Sequence, residues 1–228
     1  MKHHSYLEGA GMSLQNGQGT EGVLPAKQAR SQRRQRAILD AAHRLLESVG
    51  YEKMKMEQIA AEAESSVGTL YQRFSNKEGL LDALLGETLE RLDELLATQL
   101  SPEALSTASR QEIIRKLVGI VTDFMRNNQG FVRAITLRQL QDPLGVTPLQ
   151  SVAREAVMRS WEAIVAKDPE LADSEVQLRF AFGMQLVIGT ATNAILNRPG
   201  PLLIDDPRLP DVMTVMVDRM ISEPDLPM

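Results

Sequence analysis

Apolar residues recur along this chain with the period of a helix. Ile38, Ala41, Ala42, Leu45, Leu46 and Val49 follow an i, i+3, i+4, i+7 spacing, and Gly50 behind them supplies a stop. Met56, Ile59, Ala60 and Ala63 make a second, shorter stripe. Leu70 and Phe74 begin a third, closed by "SNK". The pattern then predicts a long fourth helix from about Asn76 to Gln99, with Leu81, Leu84, Leu85, Leu92, Leu95 and Leu96 facing inward. Ser109 and Glu112 stand at capping-box spacing ahead of Ile113, Ile114, Leu117, Val118, Val121, Phe124 and Met125. "NNQG" at 127–130 breaks that helix, and a shorter one follows through about Gln141.

"DPLGVTP" predicts a loop in which Thr147 caps and Pro148 begins the next helix, to about Lys167. Asp173 or Ser174 caps another that reaches Leu196. "NRPGPLLIDDPRLP" is irregular, and a last helix from Asp211 to Ile221 carries Met213, Met216, Val217 and Met220 on one side. No strand-like alternation competes, and no internal repeat is visible. The expected fold is all-α, with a trio of short helices in front and longer helices behind.

The third stripe has a second face. At about 100° per residue, Ser66, Leu70 and Phe74 fall on the core side. Val67, Gly68, Tyr71 and Gln72 take the neighbouring and opposite faces, with Thr69 and Arg73 on the flank. A helix lying in a DNA major groove needs this division: an apolar underside and an exposed face of small, hydrogen-bonding groups. Gly68 would let the backbone approach a phosphate strand. Thr69 and Tyr71 offer hydroxyls, and Lys77 a cation beside the free amides that open the next helix. Val67 at the helix start suits a thymine methyl.

Charge sharpens this picture. The formal net charge is -5, yet residues 27–77 carry ten Lys and Arg against six Asp and Glu, and residues 78–228 fourteen against twenty-two. Arg30, Arg33, Arg34 and Arg36 precede the first stripe, where they could follow a backbone or enter a minor groove. A basic front on an acidic body implies that a polyanion meets one end only; a solvated basic tail is the plain alternative.

Composition removes other classes. There is no cysteine, hence no disulfide framework or thiolate metal site, which fits a reducing cytosol. No apolar run is long enough to span a membrane. His43, the one histidine outside "MKHHSYLEGAG", has no second ligand at metal spacing and reads as a surface residue, so no metal or cofactor is expected. No dinucleotide or phosphate loop, and no Ser or carboxylate served by a histidine, supports an enzyme.

"GYEKMKMEQIAAEAESSVGTLYQRFSNKEGLL" resembles the N-terminal domain of the TetR family of bacterial transcriptional repressors. Gly50, Tyr51, Ile59, Ala60, Ala63, Ser66, Gly68, Thr69, Leu70, Tyr71, Phe74, Lys77, Glu78 and Leu80 match that family's motif. Lys55 stands where the family usually has a capping Thr or Ser; it cannot cap, but keeps a phosphate contact through charge. Glu64 replaces the usual turn glycine, and Ser65 a usually buried Val.

The resemblance implies a three-helix helix-turn-helix DNA-binding domain over residues 27–75, following a leader and disordered arm over 1–26. A helical effector-binding and dimerisation domain would fill 76–228. The implied function is a cytoplasmic homodimeric repressor, released from a pseudo-palindromic double-stranded operator by a small-molecule effector. Lys55, Val67, Gly68, Thr69, Tyr71, Gln72, Arg73, Lys77, Arg33 and Arg34 are the expected DNA contacts. Met125, Phe131, Met158, Trp161, Phe182 and Gln185 are candidate cavity residues, with core packing as the alternative for each. Two other readings stay open: a DNA-binding regulator without an effector or answering to a protein partner, and a helical protein whose degenerate motif binds no DNA.

Overall fold

The computed structural model describes residues 26–140 and 148–223. The leader and arm assigned to residues 1–25, and the Thr147 cap, lie outside them. Every regular element among the described residues is helical: α1 (Ala26–Val49), α2 (Met56–Glu62), α3 (Val67–Phe74), α4 (Lys77–Gln99), α5 (Pro102–Leu105), α6 (Arg110–Asn127), α7 (Gln129–Gln139), α8 (Pro148–Lys167), α9 (Ser174–Asn197) and α10 (Leu209–Ser222), with a 3-10 turn at Pro169–Leu171.

Local chemistry sets most of these boundaries. The Asn76 side chain accepts from Gly79 N at 2.7 Å and opens α4. Ser109 and Glu112 close the expected capping box, with Ser109 N donating to Glu112 at 2.7 Å and Glu112 N to Ser109 at 3.3 Å. Asp173 accepts from Glu175 N and Val176 N at the head of α9.

Two expectations need correction, and one element, α5, was not expected. α1 starts well ahead of its apolar stripe, so Arg30, Arg33, Arg34 and Arg36 lie on helix and not on an extended arm. Those first turns are rich in Ala, Gln and Arg, good helix formers that need no apolar cover. "SPEAL" is a single helical turn, α5, capped by Ser101 and anchored by the buried Leu105. Leu95, expected to face inward, is 45% exposed along an open cleft between α1, α4 and α6, while Leu80 and Leu89 are buried.

α6 is the axis of the body. Ile113, Ile114, Leu117 and Val118 are fully or almost fully buried, and the helix packs on α8, α9 and α10. The front trio is held to this body at the end of α1. The Glu47 carboxylate accepts from Gly130 N (2.7 Å) and Phe131 N (2.9 Å), and so caps α7 from another helix. His43 is half-buried there, contrary to its surface assignment: its Nε2 bonds Asn128 Oδ1 at 2.8 Å. Gly130 is required by closeness, since a Cβ would lie 2.3 Å from the Leu46 carbonyl oxygen.

Candidate nucleic-acid interface and the cavity behind it

The turn between α2 and α3 decides how α3 is presented. Ser65 N donates to Ala60 O (2.9 Å) and Glu64 N to Ala61 O (3.3 Å), the paired bonds of a Schellman ending. That ending needs a left-handed residue, and Glu64 takes it at φ 49 where a glycine would fit without strain. Ser66 then caps α3 by accepting from Thr69 N at 3.1 Å. It is exposed, and so is not on the core side where the helical wheel placed it. At the other end, Lys55 precedes α2 in an extended conformation. An ammonium has no lone pair to offer, and the reciprocal bond comes from Gln58 Oε1, which accepts from Lys55 N at 3.0 Å.

α3 is divided as its sequence implies. Leu70 is fully buried and Phe74 nearly so, against a core of Ile38, Ala42 and Ile59. Gly68, Tyr71 and Gln72 are exposed, Tyr71 to 47%. Val67 is half-buried against the same core, so only its outer edge is open to a base. The Thr69 hydroxyl already bonds the Ser66 hydroxyl at 2.8 Å. Lys55 is exposed at the start of α2.

The flanking cations are fastened. Arg73 donates to Gln35 Oε1 (2.8 Å) and Ser31 Oγ (2.9 Å), which ties α3 to the basic first half of α1. Ser31 and Gln35, not anticipated from sequence, are one turn apart on α1; only their spacing hinted at a shared partner. By helical angle Arg34 is the arginine of these turns nearest that face, with Arg30 one turn before it on the same side. Arg33 and Arg36 turn toward α4, where Arg36 lies 3.8 Å from Glu87. Lys77 sits 4.2 Å from the Tyr51 ring centroid and 3.4 Å from Glu52 O. The Tyr51 hydroxyl donates to Glu78 Oε1 at 3.3 Å. Burial, and then the Glu78 carboxylate, pushes the Tyr51 phenol above its usual pKa, so it stays a neutral donor.

Residues 38–84 match the model of the bacterial regulatory proteins of the tetR family. Over these residues the chain is similar to the TetR family. It is 33% identical over 109 residues to the HTH-type transcriptional repressor KstR of Mycolicibacterium smegmatis, covering 48% of this chain and 51% of that protein. It is 28% identical over 112 residues to the nucleoid occlusion factor SlmA of Pasteurella multocida, covering 49% and 54%. The chain thus spans about half the length of the curated relatives it matches. In fold, the chain is similar to a TetR-family crystal structure from Mesorhizobium loti, with a TM-score of 0.61 at 20% identity over 85% of this chain and 97% of that one.

Behind the helix-turn-helix head, α4, α6, α7, α8 and α9 line a cavity of about 240 Å³. Met125 is on its wall, as is Met184. The other candidate residues lie elsewhere. Phe131 is packed in the core edge-on to Phe124, and Trp161 stacks on Phe180. Met158, Phe182 and Gln185 are exposed. The wall comes mainly from positions read from sequence as plain core, including Leu117, Val121 and Phe124.

Proposed function

We propose that this protein is a sequence-specific DNA-binding transcriptional regulator, a homodimeric repressor acting in the cytoplasm and released by a small-molecule effector. The observation that carries the DNA-binding reading is α3 itself, where Gly68, Tyr71 and Gln72 stand exposed on a helix pinned from beneath by Leu70 and Phe74. The repressor sense draws on the name of the KstR relative. Tyr71, Lys55, Thr69 and Lys77 would bond phosphates, Gly68 would admit a close strand, and Gln72 and Val67 would meet base edges. Arg73 acts through α1 in this reading. It holds the basic turns bearing Arg30 and Arg34 against the same DNA strand, with Arg33 contributing charge at longer range.

The effector reading is supported by α7. Val132, Ile135 and Thr136 of that helix line the cavity, while Glu47 of α1 caps its first turn. A ligand that moves α7 therefore acts on the helix that carries the basic face.

The test is a binding-site selection from random duplexes, followed by a salt titration on the selected site. An inverted repeat with half-sites about 34–36 Å apart, or a multiple of that, is expected. Arg30→Ala with Arg34→Ala should weaken selected and random duplexes alike and flatten the salt dependence. No enrichment of any duplex at low salt would sink the reading.

A further inference from the structure

The cavities of this chain differ in their charge. The open cleft of about 560 Å³ between α1, α4 and α6 is lined by Asp40, Glu87, Asp123, Arg91, Arg115 and Lys116, cations and anions facing one another. The narrower cavity of about 240 Å³ has no Asp, Glu, Lys, Arg or His among the described residues of its wall. Its lining is aliphatic and aromatic apart from Thr136, Gln139, Gln150 and Thr192. Thr136 and Gln139 belong to the last turn of α7, Gln150 to the first turn of α8, and Thr192 to the C-terminal half of α9.

We infer that the effector of this protein is an uncharged, mainly apolar small molecule with a neutral hydrogen-bonding group. The inference rests on the proposal that the body receives an effector, and it names that effector's chemistry. An ionised carboxylate or ammonium in this cavity would lose its hydration and find no opposite charge among the described lining residues, which strongly disfavours it. A hydroxyl or carbonyl asks only for an amide or hydroxyl partner, and Thr192 is of the kind to supply one. Thr136 already donates to Val132 O at 2.8 Å, so it would serve as an acceptor. The volume sets the size: it falls just short of the range of about 300–1,000 Å³ usual for drug-sized ligands. The rest of the ligand meets Leu117, Phe124, Met125 and Ile188, which reward apolar area alone.

The experiment compares three probes with one tail: 1-octanol, octanoate and octylamine at pH 7.5, on the full chain, by thermal unfolding. At ten times its dissociation constant a ligand multiplies the folding equilibrium about eleven-fold, a rise of about 3–5 °C for a chain of this size. Octanol should produce that rise and the ionised probes should not. Ala153→Leu and Val157→Phe, which fill the cavity from α8, should each abolish the octanol effect. Equal stabilisation by octanoate or octylamine overturns the neutral-ligand assignment, as does the absence of any shift. Octanol acting undiminished on a folded filled variant overturns the cavity. The head-group comparison uses the unaltered chain, so it decides even where a filled variant fails to fold. Duplex binding by the same protein is measured in parallel: if it persists while octanol does nothing, the effector inference fails and the regulator proposal stands.

Discussion

At the scale of single residues, the head carries two non-glycine residues at positive φ, Glu64 and Ser75, and several exposed ones. Glu64 is held at φ 49, where a side chain costs about 1–2 kcal/mol that a glycine avoids. Glycine gives back part of that through the freedom it loses on folding. Glu64→Gly is therefore expected to raise unfolding stability by about 0.5–1 kcal/mol, read from urea midpoints; a loss would show that the Glu64 side chain makes a compensating contact. Tyr71 and Gln72 separate by what they would touch. Tyr71→Phe removes one hydroxyl and should weaken every duplex by about five-fold, the worth of one net hydrogen bond. Gln72→Ala should change the sequence selected while leaving binding to random DNA as it was. An unchanged selected sequence would take base reading away from Gln72. The positive φ at 64 was legible from the motif, since a glycine is usual there. The role of Arg73 was not, because its acceptors Ser31 and Gln35 lie 42 and 38 residues away and no local pattern joins them.

At the scale of helices, legibility followed the range of the bond that sets each end. Asn76, Ser109 and Asp173 bond amides two or three residues on, so their sequence neighbourhoods declare them. α5 is too short to show a period, and the first half of α1 has no apolar stripe to show. The start of α7 is the clearest case of a boundary fixed from afar. Asn128 makes no side-chain cap to it, and Glu47 does the capping across 83 and 84 residues. A carboxylate at a helix N-terminus also meets the positive end of the helix dipole. Glu47→Ala should then lower stability by about 1–2 kcal/mol, a fall of about 2–8 °C in the midpoint. Gly130→Ala should do so too, because its Cβ meets backbone and not a movable side chain. If the melting point of Glu47→Ala matches the parent, the α1–α7 junction is held by apolar packing alone, and the route from cavity to DNA proposed through α7 loses its main support.

At the scale of the whole molecule, the open question is what covers the apolar face of α9 and α10. The stripe expected on α10 divides: Met213 and Val217 are buried, while Met216 is 55% exposed beside Val212 and Val215. On α9, Phe180 and Val187 are buried, whereas Leu178, Phe182 and Leu186 at successive turns face out. Gly183 lets the two helices approach closely within one subunit, since a Cβ there would sit 3.3 Å from Val217. An apolar face shared by adjacent helices is what a second copy related by two-fold symmetry would cover, giving a four-helix interface. The α9 sequence, with Phe180, Phe182, Leu186, Val187, Ile188 and Ile195 spread over more than one face, carries more apolar surface than one neighbour can cover, but does not tell which residues lie on each side. Removing everything after Asn197 is therefore a poor test of the dimer: it would strip Leu209, Met213, Val217 and Ile221, which are buried in the subunit's own core. Leu186→Asp with Met216→Asp is the cleaner one, because both side chains are already exposed and their loss leaves the core intact. The expected outcome is a monomer by analytical ultracentrifugation, with the helical signal of the parent. Operator affinity should fall more than ten-fold, since each head would then bind its half-site without the gain from linkage. Affinity for a single half-site should not change. A double variant that stays dimeric would move the interface away from α9 and α10 and leave that face without an occupant.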